Sequence, residues 1–220
     1  MKTTEQTLQA EYRNRFERSK EYRAQVWRIL CNDFFSTYIP ASSRVLDVGC
    51  GWGEFINHIQ AREKHAIDLN PDAANKLTSE VKFHHQDCSA TWPIEDGALD
   101  IVFSSNFLEH LPNKQLIDRT LAEAYRALKP GGVLMLMGPN IRYAAREYWD
   151  FWDHHIPISD RSIAEAASLC GFKILRQTDR FLPFTMSGTK ETPTFLIRAY
   201  LRMPFVWRWF GKQFFVVCRK

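Results

Sequence analysis

The sequence lacks long apolar runs and any paired pattern of cysteines. No stretch of about 18 apolar residues could span a bilayer, and residues 1–20 contain no apolar core of the kind that a secretory signal peptide needs. The five cysteines are scattered and form no C-x-x-C pair, so neither a disulfide framework nor a zinc site is indicated. These absences predict a cytoplasmic protein. No cluster of ligands in the sequence indicates a metal, although the adjacent His154 and His155 leave that alternative open.

A strong excess of one charge is also absent. The 29 basic residues only slightly outnumber the 25 acidic ones, so bulk charge does not favour a nucleic-acid partner. Hydrophobic residues make up 45% of the chain, as in ordinary globular proteins, and 220 residues suit one large α/β domain. We therefore expect residues 1–220 to form a single domain, and the sequence leaves its oligomeric state open.

Strands and helices are predicted to alternate over the first two thirds of the chain. Residues 1–35 form an N-terminal helical region, with apolar side chains at helical spacing from Tyr22 to Phe34. Residues 36–140 form a core in which strands alternate with helices, which predicts a parallel sheet covered on both faces. The strands are predicted near 42–48, 64–70, 81–87, 99–106 and 132–139, and the helices over 54–62, 71–80 and 114–129.

Residues 141–220 depart from this alternation and are predicted to form the acceptor side of the domain, that is, the side where a second substrate would bind. An irregular aromatic stretch, 142–159, precedes a helix over 160–171 and two strands, 172–181 and 213–220. Between these strands, residues 194–212 interleave aromatic side chains with arginines, a composition typical of a segment lying in a membrane interface. We expect peripheral contact with the inner face of a membrane, with dimer packing or a cover over the acceptor site as the alternatives.

A glycine-rich loop, Val45–Gly53, carries the main functional signal. Gly49, Gly51 and Gly53 occupy alternate positions after a predicted strand, and glycine permits positive φ and close approach of the backbone to a ligand. The spacing is G-x-G-x-G, whereas the dinucleotide fingerprint is G-x-G-x-x-G. Asp47, at the end of the strand, could receive an ammonium group. The motif therefore favours a nucleoside that carries an amino acid over a dinucleotide.

From about Val45 to Met137 the chain resembles the class I S-adenosylmethionine-dependent methyltransferases. The resemblance implies a Rossmann-like α/β fold, whose seven-stranded sheet is mostly parallel, with the last strand antiparallel and helices on both faces. It implies that Asp68 accepts hydrogen bonds from the ribose hydroxyls of the cofactor and that Asp87 lies near the adenine. The full set of expected cofactor-binding residues is Asp47, Gly49, Cys50, Gly51, Gly53, Asp68, Leu69, Asp87, Cys88, Asn106 and Phe107.

A weaker resemblance, carried by residues 194–212, connects the chain with bacterial methyltransferases of cell-surface polysaccharide synthesis. It implies O-methylation of a sugar or glycan hydroxyl, and the alternative acceptor is a quinone-like or other small phenol. A hydroxyl gains from proton removal during attack, and histidine suits this task near neutral pH. The candidate bases are His154 and His155, one of which Asp153 could orient through its carboxylate, and, as a further candidate, His110.

Five aromatic residues before these histidines predict a lid or a wall for the acceptor, although they could equally be packing beneath a loop. They are Tyr143, Tyr148, Trp149, Phe151 and Trp152.

Three other functions were weighed. A nicotinamide-dependent oxidoreductase lacks its fingerprint here, and a base-modifying nucleic-acid methyltransferase is disfavoured because Asn106 precedes Phe-Leu-Glu instead of Pro-Pro-Tyr. A non-catalytic cofactor-binding partner subunit stays open.

Overall fold

A computed structural model describes residues 20–184 and 191–220 of the chain. Residues 1–19 of the predicted N-terminal helical region lie outside this range. The strands are β1 Arg44–Val48, β2 Glu63–Asp68, β3 Val81–His85, β4 Leu99–Ser105, β5 Leu128–Pro139, β6 Lys173–Thr178 and β7 Gln213–Arg219. The helices are α1 Lys20–Asp33, α2 Lys114–Ala127, α3 Ile141–Tyr148, α4 Asp160–Leu169, α5 Thr194–Arg202 and α6 Pro204–Phe210. Over these ranges no helix is both long and apolar enough to cross a membrane.

The sheet has the order β3-β2-β1-β4-β5-β7-β6. β2 is parallel to β1 and β3, and β5 is parallel to β4. β7 runs antiparallel to both of its neighbours, β5 and β6. The prediction of a seven-stranded, mostly parallel sheet with the last strand antiparallel is therefore confirmed.

The chain divides into two compact units. The first comprises the described residues of Met1–Asp87 and Thr185–Arg202, and the second those of Cys88–Phe184 and Met203–Lys220. In the first unit, an aromatic cluster packs α1 against the segment that follows the glycine loop. The ring of Phe35 lies 5.8 Å from that of Phe55 and 6.3 Å from that of Trp27. This apolar contact fixes one end of the glycine loop.

The prediction of a helix over 54–62 is wrong. Residues 51–58 form consecutive turns, and the amide of Asn57 reaches the carbonyl of Gly53 at 2.9 Å without a continuing helix. The side chain of Asn57 instead bonds the backbone of Lys76 and Thr78, at 2.9 Å each. Helical periodicity is present because Phe55 and Ile59 both face the core, but positive φ at the preceding glycines prevents a regular helix start.

Two further elements differ from the prediction in their extent. The helix predicted over 71–80 is a short 3₁₀ helix, Pro71–Asn75, whose first turn is capped by the side chain of Asn70. The fifth strand, predicted over 132–139, begins at Leu128 as β5 and includes Pro130, where its register with β4 shifts between Leu128 and Val133. This irregularity is held by the C-terminal residue, because Lys220 exchanges backbone hydrogen bonds of 3.0 Å with Gly131 and Gly132.

In the second unit, the aromatic stretch expected to be irregular begins as α3. The side chain of Asn140 accepts a hydrogen bond from the amide of Arg142, so the helix has the cap that its sequence supplies. Tyr148, at the end of α3, is fully buried. Its hydroxyl donates to the carbonyl of Ile156 at 2.5 Å and accepts from the amide of Ile158 at 3.2 Å. One tyrosine thus anchors the loop that follows the helix.

Candidate functional site

The glycine loop of the first unit adopts a conformation that requires glycine. Gly49, Gly51 and Gly53 have φ values of 70°, 56° and 76°, in the left-handed region. A Cβ atom on Gly53 would lie 2.5 Å from a methyl carbon of Leu77, so even alanine would not fit without a shift. The loop therefore keeps a surface of bare backbone at the end of β1, as expected for close approach of a ligand.

Asp68 connects the end of β2 with this loop. Its two carboxylate oxygens accept backbone hydrogen bonds from Gly51 and from Asn70, both at 2.8 Å. Burial raises the pKa of Asp68 to about 6, although these bonds and one from the backbone of Leu69 oppose the rise. An ionised carboxylate offers about four acceptor sites, so it could also receive a hydroxyl of a ribose.

Asp47 is the second buried carboxylate of the first unit. Burial raises its pKa well above the ordinary range, and the negative charges of Glu54 and Asp68 raise it further. The amide of Ile56 donates to it and acts in the opposite direction. A cation at this position would relieve the repulsion among the carboxylates, which is the chemistry expected for a residue that receives an ammonium group.

The other predicted cofactor-binding residues are distributed over both units. In the first unit, Cys50 is buried, Leu69 is half-buried and Asp87 is exposed. In the second unit, Cys88 is buried and Phe107 is half-buried. Their roles toward a cofactor stay predictions.

Asn106, in the second unit, has unusual geometry. It is the non-glycine residue with positive φ, 50°, within the described ranges. Its amide nitrogen Nδ2 donates to Ser105 at 2.9 Å, whereas its buried Oδ1 has no hydrogen-bond partner among the described residues. Strained backbone and an unsatisfied acceptor in one residue indicate a functional position.

Glu109, His110 and His154 form a cluster in the second unit, here called the Glu-His-His cluster. Their ligand atoms all lie within 4.8 Å of one another, and the two imidazole rings are 4.9 Å apart. The Nδ1 atom of His110 lies 3.1 Å from both the carboxylate and the backbone carbonyl of Asp153. Asp153, which the sequence predicts to orient His154 or His155, instead contacts His110, which comes from a different segment.

The electrostatics of this cluster are coupled. Burial raises the pKa of Glu109, and the nearby His110 opposes the rise. For His110, burial lowers the pKa, but the hydrogen bond with Asp153 and the negative charge of Glu109 outweigh it, so that the net shift is upward. The cluster is therefore able to hold a positive charge beside a buried carboxylate.

His154 and His155 are adjacent in sequence and lie in different environments. His154 is buried, and its ring stacks on Phe151 at 5.0 Å and meets the edge of Tyr148 at 4.7 Å. His155 is exposed, and it contributes to the cluster only through its amide, which donates to the carbonyl of Glu109 at 2.9 Å. The sequence reasoning missed Glu109, although its position directly before His110 was the available signal.

The aromatic residues of this region do not form one continuous wall. Tyr148 belongs to the core, so for this residue the packing alternative is correct. Trp149 and Trp152 are exposed, with 55% and 92% of their surface accessible. Tyr143 donates its hydroxyl to Asp179 at 2.6 Å.

Comparison with known proteins identifies related sequences and folds. Residues 19–177 match the family model described as a methyltransferase domain. The chain is 36% identical over 116 residues to the ubiquinone biosynthesis O-methyltransferase of Xanthomonas axonopodis pv. citri, covering 48% of this chain and 47% of that protein. It is 29% identical over 152 residues to the malonyl-acyl-carrier-protein O-methyltransferase of Dechloromonas aromatica, covering 63% of this chain and 56% of that protein.

A similar fold occurs in the crystal structure of an S-adenosylmethionine-dependent methyltransferase from Archaeoglobus fulgidus. The TM-score is 0.64 at 20% identity, over 88% of this chain and 94% of that one. The matches to the curated relatives span only about half of the length of those proteins. The likeness therefore covers the methyltransferase domain and leaves the acceptor of this chain open.

Proposed function

Because the chain belongs to the family of class I S-adenosylmethionine-dependent methyltransferases, we propose that it methylates a hydroxyl group of a lipid-linked acceptor at the inner face of a membrane. The observation that carries the proposal is the buried Glu-His-His cluster of the second unit, since a hydroxyl acceptor needs to lose a proton. The first acceptor class is the sugar hydroxyl of a glycan intermediate in cell-surface polysaccharide synthesis. The second is the phenolic hydroxyl of a quinone precursor.

The residues of the first unit fit S-adenosylmethionine. Gly49, Gly51 and Gly53 give the loop positive φ at alternate positions. The carboxylate of Asp68 retains acceptor capacity, and Asp47 lies where a cation relieves repulsion. We assign the ribose hydroxyls to Asp68 and the ammonium group of the methionine part to Asp47. When bound, the cofactor supplies a methyl group on a sulfonium, whose C–S bond breaks toward sulfur as the acceptor oxygen forms the new C–O bond.

The acceptor oxygen enters this reaction as a hydroxyl, and its proton must be removed. We assign activation of the hydroxyl to the Glu-His-His cluster, in which Asp153 positions His110. A sugar hydroxyl is far less acidic than a phenol, whose pKa is about 10, and so it needs the stronger activation. The burial of Glu109 and His154 supports the sugar, because charges act more strongly in a low dielectric. The quinone-related names of relatives such as the Xanthomonas enzyme support the phenol.

Two helices support membrane contact. In α6, Phe205, Trp209 and Phe210 are 61–62% exposed, and in α5 Phe195 is 67% exposed. Residues 192–220 contain six basic and no acidic residues, which favours an anionic surface. Exposed aromatic side chains beside arginines are typical of proteins that lie in the headgroup region of a bilayer.

The test is transfer of radiolabelled methyl from S-adenosylmethionine to two acceptor panels, one of lipid-linked sugars and one of quinone-type phenols. We expect turnover with the sugars, and a loss of about 100-fold or more in kcat for His154→Ala, as for removal of a catalytic proton-transfer group. His155→Ala is the matched control, since this neighbouring histidine is exposed. Turnover with the phenols alone would assign the second acceptor class, and equal rates in both variants would contradict the role of the cluster.

A further inference from the structure

The Glu-His-His cluster has the donor set of a metal site. Glu109 and His110 belong to a 3₁₀ turn, Leu108–His110, that follows β4, whereas His154 lies in the loop after α3. Their ligand atoms lie within 4.8 Å of one another. A tetrahedral ion with bonds of about 2.1 Å holds its ligands about 3.4 Å apart, so modest side-chain rotation would complete the set.

The carboxylate of Glu109 is buried beside two imidazoles. The residue is only 2% exposed, its own backbone amide donates to the carboxylate, and His110 lies close enough to stabilise its negative charge. A buried carboxylate is unstable unless it is paired, protonated or bound to a cation. The two imidazoles lie close enough to the carboxylate that a single cation could be bound by all three side chains.

Asp153 supplies the second feature of a metal site. The Nδ1 atom of His110 lies 3.1 Å from an Asp153 carboxylate oxygen, which leaves Nε2 of His110 available as a ligand. Metal-binding histidines commonly donate their other ring N–H to a carboxylate, which orients the ring and raises its basicity. This partner is in place before any ion binds.

The backbone also holds the two segments together. The amides of His155 and Ile156 donate to the carbonyl of Glu109, at 2.9 and 3.3 Å. The amide of His154 donates to the carbonyl of Phe151 at 3.3 Å. The ligands are therefore fixed on a preformed frame, which lowers the entropic cost of binding.

We propose that Glu109, His110 and His154 bind one divalent first-row transition-metal ion and leave its remaining coordination positions open. Two nitrogens and one carboxylate oxygen are the donors that Zn²⁺, Fe²⁺ and Co²⁺ accept, whereas Mg²⁺ and Ca²⁺ prefer oxygen alone. An acceptor hydroxyl that reached an open position would become more acidic. This catalytic part rests on the proposed function, and the binding part does not.

The test is a titration of tag-free, chelator-treated protein with Zn²⁺ in a calorimeter and with Co²⁺ in an absorption spectrometer. We expect one equivalent per chain, and a dissociation constant at least tenfold higher in Glu109→Gln and His154→Ala. Asp153→Asn should weaken binding by about 10- to 100-fold, as for other second-layer partners. His155→Ala is the control and should bind as the wild type does.

Two further measurements keep the outcomes separate. Circular dichroism and binding of S-adenosylmethionine show whether each variant is folded, so that lost metal binding cannot reflect unfolding. Absence of stoichiometric binding in the folded wild type, or equal affinity in His154→Ala, would overturn the metal site. Normal metal binding without methyl transfer to either acceptor panel would instead contradict the proposed function.

Discussion

Protonation of Asp68 should control the affinity for the cofactor. The carboxylate is buried, and its pKa is raised from 3.8 to about 6, mainly by burial. Only the ionised form is acceptor-only toward the ribose hydroxyls. If the protonated form does not bind, the apparent dissociation constant should rise about tenfold between pH 7 and pH 5, which is about 1.4 kcal/mol.

Protonation of Asp68, which should weaken cofactor binding, should increase the free energy of unfolding. Because the pKa of Asp68 is higher in the folded than in the unfolded chain, the folded state takes up the proton first, between pH 6 and 3.8. The contribution to the free energy of unfolding is thus complete below pH 3.8 and is lost as pH rises through 6. A rise of this size corresponds to about 3 kcal/mol. Acidification should therefore weaken cofactor binding while Asp68 itself favours folding.

Calorimetry with S-adenosylhomocysteine from pH 5 to 8 measures the first effect, and urea unfolding from about pH 3.5 to pH 8 measures the second. Asp68→Asn should bind weakly at every pH and lose the part of the pH dependence that Asp68 contributes. Asp150→Asn, which changes an exposed carboxylate, should behave as the wild type does. An affinity independent of pH in the wild type, or an identical pH profile in Asp68→Asn, would refute the reasoning.

Three other predictions follow from the structure. The ammonium group of the cofactor should lower the pKa of Asp47, which burial raises. Wild-type protein should therefore release more protons on cofactor binding than Asp47→Asn, as calorimetry in buffers of different ionisation enthalpy would measure. Gly53→Ala and Gly131→Ala both place alanine at a positive φ, but of these two positions only Gly53 lacks space for a Cβ atom. The loss in free energy of unfolding should therefore be larger for Gly53→Ala, by about 1–3 kcal/mol, as urea unfolding would measure. Trp209→Ser should reduce co-sedimentation with anionic vesicles, whereas Leu169→Ser, at an even more exposed apolar position in α4, should not. Equal binding by both variants would argue against α6 as the contact.

The sequence determined the architecture of the sheet and the position of the glycine loop. Alternating β-rich and helical segments imply parallel strands, and three glycines at alternate positions imply a backbone with positive φ, which Gly49, Gly51 and Gly53 have. The strand-end position of Asp68 could be read from the alternation of strands and helices, whereas its role toward a ribose is what the family resemblance implies. These features depend on local sequence, and local sequence was enough to predict them.

Helix extent was predicted less well, because periodicity records which side chains are buried and not which backbone hydrogen bonds form. Phe55 and Ile59 are buried at helical spacing, yet the side chain of Asn57 bonds Lys76 and Thr78 in a segment of turns. The tertiary contacts of one polar side chain thus compete with the helix that the pattern suggested.

The Glu-His-His cluster was decided by tertiary structure alone. His154 and His155 are indistinguishable in sequence, and only the packing of His154 against Tyr148 and Phe151 buries one of them and leaves the other in solvent. The sequence alone does not distinguish Glu109 from an exposed glutamate, and only the fold buries it beside His110. The reason is physical: pKa shifts and ligand geometry depend on distances between segments that are more than 40 residues apart, such as His110 and Asp153, and no local pattern encodes those distances.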